Sequence, residues 1–182
     1  MPNWMRIALE VSGDKKQQKE FFESIGDGLE SEQPINFEKI ITPPDNLFRG
    51  NLGKDEEEYC RANNIPDWYS WNTANWGTKW NACSGSVNKT EDGLVLLFET
   101  AWALPIPIIE AIEMMIADDF PDLKIYGEFL EEGYAVAGFF HITKDIAELY
   151  EVDIDFGDDG AEILFFYKDG PEYGTEFEFK NI

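Results

Sequence analysis

The chain has 182 residues, 43% of them hydrophobic and 15% aromatic, and 37 acidic residues against 14 lysines and arginines give a net charge of −23. This hydrophobic content is sufficient for a packed core and excludes disorder over most of the chain. The acidity argues against direct binding to nucleic acid or to an anionic membrane surface, because both normally require clustered basic side chains. The charge is uneven, since residues 92–182 carry −18 of the total.

Other classes of protein are excluded by segments that the sequence lacks. The first residues contain no basic stretch followed by an apolar run of signal-peptide length, and no segment approaches the roughly 20 apolar residues of a membrane helix. We therefore expect a soluble, cytoplasmic protein. Cys60 and Cys83 have no CxxC spacing and no histidine at ligand spacing. They are interpreted as buried, reduced thiols, and neither a metal nor a cofactor is expected.

The chain begins with a predicted strand and helix. Residues 4–12 alternate apolar and polar side chains, which is typical of a half-buried strand. Turn and N-cap residues then precede a helical stripe, which predicts a helix over residues 14–26. Residues 37–41 are interpreted as a short strand that ends before Pro43 and Pro44.

The middle of the chain combines helical and strand patterns. Residues 53–64 carry acids early and Arg61 late, as the helix dipole favours, and predict a short helix. Residues 87–89 and 94–100 flank a turn and predict a hairpin of central strands. Apolar residues at helical spacing follow Pro105 and Pro107 and predict a helix over residues 105–118.

The last third of the chain is predicted to consist mainly of strands. Residues 123–131 and 134–143 form a predicted hairpin, and residues 144–150 are interpreted as a helical turn. Three further strands are predicted, over residues 152–156, 161–168 and 175–180.

This order of elements predicts an α+β fold in one domain spanning residues 1–182. The best match is a ferredoxin-like split βαβ arrangement, an antiparallel sheet with its helices on one face. A Trp-rich helical insertion would occupy residues 37–82, and an acidic β-meander extension would occupy residues 145–182.

The segment from Trp68 to Trp80 contains four of the six tryptophans. Trp68 and Trp71 are three residues apart and Trp76 and Trp80 four apart, so each pair can share a helical face, although Gly77 weakens the second pair. One interpretation is an aromatic platform for a ligand or partner. The other, which we favour for at least three of the four rings, is core packing of an insertion that is short of aliphatic residues.

Acidic residues in the C-terminal part of the chain form a second candidate site: Asp153, Asp155, Asp158, Asp159, Glu176 and Glu178. Their spacing does not match a calcium-binding EF-hand loop. Strand alternation instead places Asp153 and Asp155 outward, opposite a core-facing Val152, Ile154 and Phe156. The resulting acidic sheet face has two interpretations. In the first it only keeps the protein soluble. In the second its carboxylates mimic the phosphates of a nucleic acid and bind a basic protein.

No catalytic constellation is present in the sequence. His141 is the only histidine and lies in an apolar run without a nucleophile pattern nearby, which favours a strand residue over a general base. Phosphate-binding glycine loops, GxSxG and HExxH motifs are also absent from the sequence.

Four short strings point to a known family. They are Pro2-Asn3-Trp4, Trp68-Tyr69-Ser70-Trp71, Asn75-Trp76-Gly77-Thr78-Lys79-Trp80-Asn81-Ala82, and Phe98-Glu99-Thr100-Ala101-Trp102 with Pro105. Over about residues 1–120 the sequence resembles the YubB-like family of phage and conjugative-plasmid proteins, and it departs from the pattern at Ala103–Pro107. The resemblance implies a ferredoxin-like domain and a mobile-element origin. The family has no settled activity, so the resemblance implies no catalytic residues.

Two functions follow as hypotheses. The first is a non-enzymatic acidic protein of a mobile genetic element that binds a basic host protein. A nucleic-acid mimic or an anti-defence factor is a narrower form of this hypothesis. The alternative is a protein, or an enzyme, that binds a small molecule or peptide and uses the Trp-rich insertion as one wall of a cleft.

Overall fold

The structure of the chain is a computed structural model that describes residues 3–28, 31, 33–91, 93–133, 135–157 and 160–164, with side chains described as far as Val152. The elements in these ranges are β1 (Trp4–Gly13), α1 (Lys15–Ile25), α2 (Phe37–Ile40), α3 (Lys54–Asn63), α4 (Trp68–Asn75), β2 (Cys83–Lys89), β3 (Gly93–Ala101), α5 (Ile106–Asp118), β4 (Leu123–Glu131), β5 (Ala137–Ile142), β6 (Ala147–Gly157) and β7 (Gly160–Leu164).

The strands form one sheet in the order β2-β3-β1-β4-β5-β6-β7, and every neighbouring pair is antiparallel. The first strand of the chain is central, because Ile7 lies opposite both Phe98 on β3 and Phe129 on β4. From β4 onward the strands are neighbours in both sequence and space. The predicted α+β class with an antiparallel sheet is therefore confirmed.

The main core lies between one face of the sheet and the helices. The alternation predicted for β1 is observed, since Met5, Ile7, Leu9 and Val11 are at most 2% exposed. They share one cluster with buried side chains of α1 and α5: Phe21, Phe22, Ile25, Ile108, Ile112 and Ile116. Burial of these aliphatic and aromatic side chains is the main force that holds the two helices on the sheet.

Local capping explains where α1 begins and ends. The Asp14 carboxylate accepts hydrogen bonds from the backbone N–H groups of Lys16 and Gln17, at 3.0 and 2.9 Å. These are two of the N–H groups that a helix start leaves without internal partners. At the other end the N–H of Gly26 donates to the carbonyl of Phe22.

The strand predicted over residues 37–41 is wrong, because residues 37–40 form the helix α2. The side chain of Asn36 caps this helix through the N–H of Glu38. A second amide, from Asn81, accepts a hydrogen bond from the N–H of Phe37 at 2.8 Å. This contact comes from a residue far along the chain and overrides the strand preference of the local sequence.

The helical turn predicted over residues 144–150 is also wrong. Thr143 and Ile146 form a tight turn in which the Thr143 N–H donates to the Ile146 carbonyl at 2.7 Å. The strand β6 then begins at Ala147 and includes the predicted strand 152–156. The described part of the next predicted strand is β7, whereas the strand predicted over residues 175–180 lies outside the described residues.

Candidate functional site

The four tryptophans of the Trp68–Trp80 segment occupy different environments. Asp67 caps the start of α4 through the N–H of Ser70, and the helix includes Trp68 and Trp71 but ends at Asn75. Trp76 is 2% exposed, and its indole N–H donates to the carbonyl of Ile41 at 3.0 Å. Trp76 therefore belongs to the core.

The chain turns sharply after Trp76, which separates Trp80 from the helix. Gly77 has φ +77°, a conformation that side-chain-bearing residues rarely adopt. A Cβ atom at this position would lie 2.8 Å from Cδ of Pro107, so the turn also packs tightly on the start of α5. Trp80 consequently does not share a helical face with Trp76.

Three of the tryptophans line an open cleft of about 240 Å³ beside α4, here called the tryptophan cleft. Its lining residues are Glu38, Leu47, Arg49, Trp68, Asn72, Trp76, Trp80 and Asn81. The indole N–H of Trp68 donates to the carbonyl of Gly50 at 3.1 Å, which fixes that ring. Trp71 is half-buried and makes an edge-on contact with Trp76 at 5.3 Å between ring centroids.

Lys79 lies among three aromatic rings. Its Nζ is 4.8 Å from the ring centroid of Trp80, 4.9 Å from that of Trp102 and 5.9 Å from that of Tyr69. These distances are typical of cation–π interactions. Lys79 forms no ion pair with any residue that the structure describes.

Trp102 reaches this cluster with a strained backbone. Its φ is +74°, an outlier for a bulky residue, and its side chain is 46% exposed. Its N–H donates to the carbonyl of Asn3 at 2.9 Å, and the hydroxyls of Thr78 and Thr100 bind the carbonyls of Ala101 and Ala103 at 2.7 Å. Three hydrogen bonds thus hold the strained position.

A groove of about 180 Å³ lies between α5 and the strands β5 and β6, and is here called the acidic groove. It is lined by the apolar residues Ile106, Ile109, Phe140, Ile142, Ala147 and Leu149 and by the exposed acids Glu110, Glu113 and Glu148. Leu149 is 43% exposed, although it lies opposite the buried Phe140 in the sheet. Apolar surface on the same side as the core is therefore left open and is bordered by carboxylates.

The acidic residues predicted from the sequence lie at or beyond the end of the described side chains. The backbones of Asp153 and Asp155 are in β6, paired with Leu164 and Glu162 of β7. Asp158, Asp159, Glu176 and Glu178 lie outside the described residues.

The sheet face opposite the helices carries an aromatic row across β4, β5 and β6. The Phe139 ring lies 6.2 Å from that of Tyr126 and is stacked on that of Tyr150 at 5.0 Å. Burial raises the pKa of the Tyr126 phenol well above its ordinary value, and the negative charge of Glu128, its hydrogen-bond partner, raises it further. The pair therefore favours a protonated phenol beside a carboxylate.

The remaining candidates from the sequence are the single histidine and the two thiols. His141 is half-buried on β5, opposite Tyr126 and Glu148. Cys60 is buried and Cys83 half-buried, and burial raises the pKa of both thiols. Within the described ranges no three His, Cys, Asp or Glu side chains are grouped to hold a metal ion.

The fold and these surfaces define an α+β protein with an antiparallel sheet, an aromatic cleft and an acid-bordered apolar groove. No family model, curated protein or solved structure matches the chain. None of its described helices has both the length and the apolar composition needed to cross a membrane.

Sequence reasoning did not identify the acidic groove, Lys79 or Asn72. The groove depends on β6, which was predicted to begin later in the chain. Lys79 and Trp102 each lie within one of the four strings quoted above, but their contact, which joins the insertion to the end of β3, could not be read from either string.

Proposed function

We propose that the chain is a non-enzymatic acidic protein that binds a basic partner protein, and that the acidic groove receives an amphipathic segment of that partner. The acidic groove carries the proposal. Its apolar walls offer a surface for apolar anchors, and Glu110, Glu113 and Glu148 offer complementary charge at the rim. Among the described residues that line it there is no lysine or arginine.

The electrostatics of the whole chain support the same choice of partner. A net charge of −23 attracts cationic proteins over several ångströms and repels nucleic acid. Mimicry of nucleic acid is the narrower form of this proposal, in which the partner is itself a nucleic-acid-binding host protein in the cytoplasm.

The order of the strands supports a ferredoxin-like core. Within the sheet β4, β1, β3 and β2 are neighbours in that order, and α1 and α5 are the helices of two split βαβ units. The helices α2, α3 and α4 are then an insertion in the first unit, and β5, β6 and β7 extend the sheet. We propose that the chain shares this fold, and a mobile-element origin, with the YubB-like proteins that it resembles.

A synthetic amphipathic helix of about five turns, built from Leu and Lys, tests the proposal when its affinity is measured by calorimetry. We expect saturable binding to one site that weakens by at least about tenfold between about 0.05 M and about 0.3 M salt, because screening reduces the attraction between surface charges. A peptide of the same composition with scrambled order should bind much more weakly, since its leucines share no face.

The site is tested with two variants of equal charge. The first replaces Glu110, Glu113 and Glu148 by Gln, and the second replaces Asp55 by Asn and Glu57 and Glu58 by Gln on α3. We expect the first to weaken binding by about tenfold or more and the second by less than about twofold. Equal losses would mean that the peptide responds only to net charge, and the acidic groove would not be the site.

A further inference from the structure

One residue in the wall of the tryptophan cleft carries a buried hydrogen-bond acceptor that receives no hydrogen bond from the described residues. Asn72 is one of the lining residues, and its side chain is only 7% exposed. Its Oδ1 is buried and receives no hydrogen bond within the described part of the chain. Buried polar atoms in folded proteins nearly always have a partner, so an unpaired one in the wall of a cleft points to a bound molecule.

The orientation of the Asn72 amide is fixed by its other end. Nδ2 donates a hydrogen bond of 2.9 Å to the backbone carbonyl of Lys79. A carbonyl only accepts, so the nitrogen must point toward Lys79 and the oxygen must point away from it. The unpaired atom is therefore an acceptor, and a ligand must supply an N–H or O–H group.

The lining side chains and the charge of the cleft indicate the shape and charge of the ligand. Trp68 and Trp80 are half-buried and present aromatic surface beside the buried Trp76, which favours a flat ring. The two charged lining residues neutralise each other, because Arg49 Nη1 lies 2.7 Å from Glu38 Oε1. The net charge of the chain disfavours an anion, while a cation would compete with Arg49 for Glu38. A neutral ligand therefore fits the cleft best.

We infer that the tryptophan cleft is a binding site for a small neutral ligand with a flat ring and an amide-type N–H, which donates to Asn72 Oδ1. The ring lies against the tryptophans, and the volume of about 240 Å³ accommodates one ring with a short substituent. Oδ1 has almost no contact with solvent, so the ligand separates the lining side chains slightly, and a flat group does so with the least displacement. This site shares no lining residue with the acidic groove.

Four probe molecules test the inference: benzamide, N,N-dimethylbenzamide, benzoate and benzamidine. Binding is followed through the indole N–H signals in ¹H–¹⁵N NMR spectra, assigned with single Trp→Phe variants. We expect benzamide to shift the signals of Trp68, Trp76 and Trp80 with a Kd that is roughly millimolar. Dimethylbenzamide, which has no N–H, should bind about tenfold more weakly. Benzoate and benzamidine should also bind more weakly than benzamide.

The role of Asn72 is tested by Asn72→Leu, which removes the unpaired oxygen and keeps a side chain of similar size. This variant should bind benzamide and dimethylbenzamide equally well. Asn63→Leu on α3 is the matched control, because Asn63 also donates its amide to a backbone carbonyl, that of Tyr59, and it should preserve the preference for benzamide. If Asn72→Leu does not fold, the relative affinities of benzamide and dimethylbenzamide for the wild-type protein still test whether an N–H donor is required. Absence of saturable shifts with benzamide, equal affinity for the two amides, or a preference for benzoate or benzamidine would overturn the inference.

Discussion

The ammonium nitrogen of Lys79 lies 4.9 Å from the ring centroid of Trp102, and this contact joins the Trp-rich insertion to the end of β3. A cation on the face of an indole is stabilised by the ring quadrupole, more strongly where water is partly excluded. Lys79 has no carboxylate partner among the described residues, so the rings provide its main stabilising contact.

Replacing Lys79 by Met should lower the free energy of unfolding by about 1 kcal/mol, because it removes the cation and keeps an apolar side chain of similar length. Lys79→Arg should retain most of the stability, since a guanidinium also stacks on indole rings. Urea denaturation measures both effects. Lys89→Met, at an exposed position on β2, is the control, and a loss as large there would show that the aromatic contacts contribute nothing specific.

Gly77→Ala should destabilise the protein by about 1–3 kcal/mol, because the new Cβ meets two obstacles. The backbone has φ +77°, and the Cβ would lie 2.8 Å from Cδ of Pro107. Gly28→Ala separates the two effects, since Gly28 has φ +104° and, among the described residues other than its chain neighbours, no atom lies within 4 Å of the added Cβ. Thermal unfolding should show the larger loss for Gly77→Ala. Equal losses would mean that the contact with Pro107 relaxes without cost.

Tyr126 should make the stability of the protein depend on pH in the alkaline range. Its pKa is raised in the folded state by burial and by Glu128, so the folded protein favours the protonated phenol. The resulting stabilisation is fully present below the ordinary tyrosine pKa of about 10 and is lost as the pH rises above it.

Urea denaturation at a series of pH values from about 8 to about 11 measures this dependence. Tyr126→Phe should flatten the fall in the free energy of unfolding over that range. Tyr59→Phe removes an exposed tyrosine and should leave the slope as in the wild type. A wild-type slope in Tyr126→Phe would contradict the assignment.

The two thiols should react in a fixed order. Cys83 is half-buried, whereas Cys60 is only 2% exposed. Burial raises the pKa of both thiols, so little of the reactive thiolate is present at neutral pH and alkylation should accelerate as the medium becomes alkaline. Peptide mapping after a timed iodoacetamide pulse should find Cys83 modified in the folded protein and Cys60 only after unfolding. Modification of Cys60 first would show that α3 opens locally.

The sequence predicted those elements that form through local patterns. The alternation of residues 4–12 and the capped stripe of residues 14–26 each correspond to an observed strand or helix, because burial of one face stabilises them wherever the chain places them. The helix α2 was missed because its start is held by Asn81, a residue from another part of the insertion. The beginning of β6 was missed because residues 144–150 show no regular alternation of apolar and polar side chains.

The sites were less predictable than the fold. Composition drew attention to the tryptophans, but the turn at Gly77 places Trp76 in the core and Trp80 beside the cleft. The orientation of the Asn72 amide depends on the position of the Lys79 carbonyl, which only the folded chain defines. No sequence pattern predicts that the amide oxygen receives no hydrogen bond from the described residues. The acidic groove is lined by residues of α5, β5 and β6, which come together only once the strands have taken their order in the sheet.

The central position of β1 has a consequence during synthesis. Ile7 is synthesised well before its neighbours in the sheet, Phe98 and Phe129. The backbone edges of β1 thus stay without strand partners until most of the chain has been translated, and the sheet forms through contacts that are distant in sequence. The strand at the centre of the finished sheet is therefore made early but completes its strand pairing late.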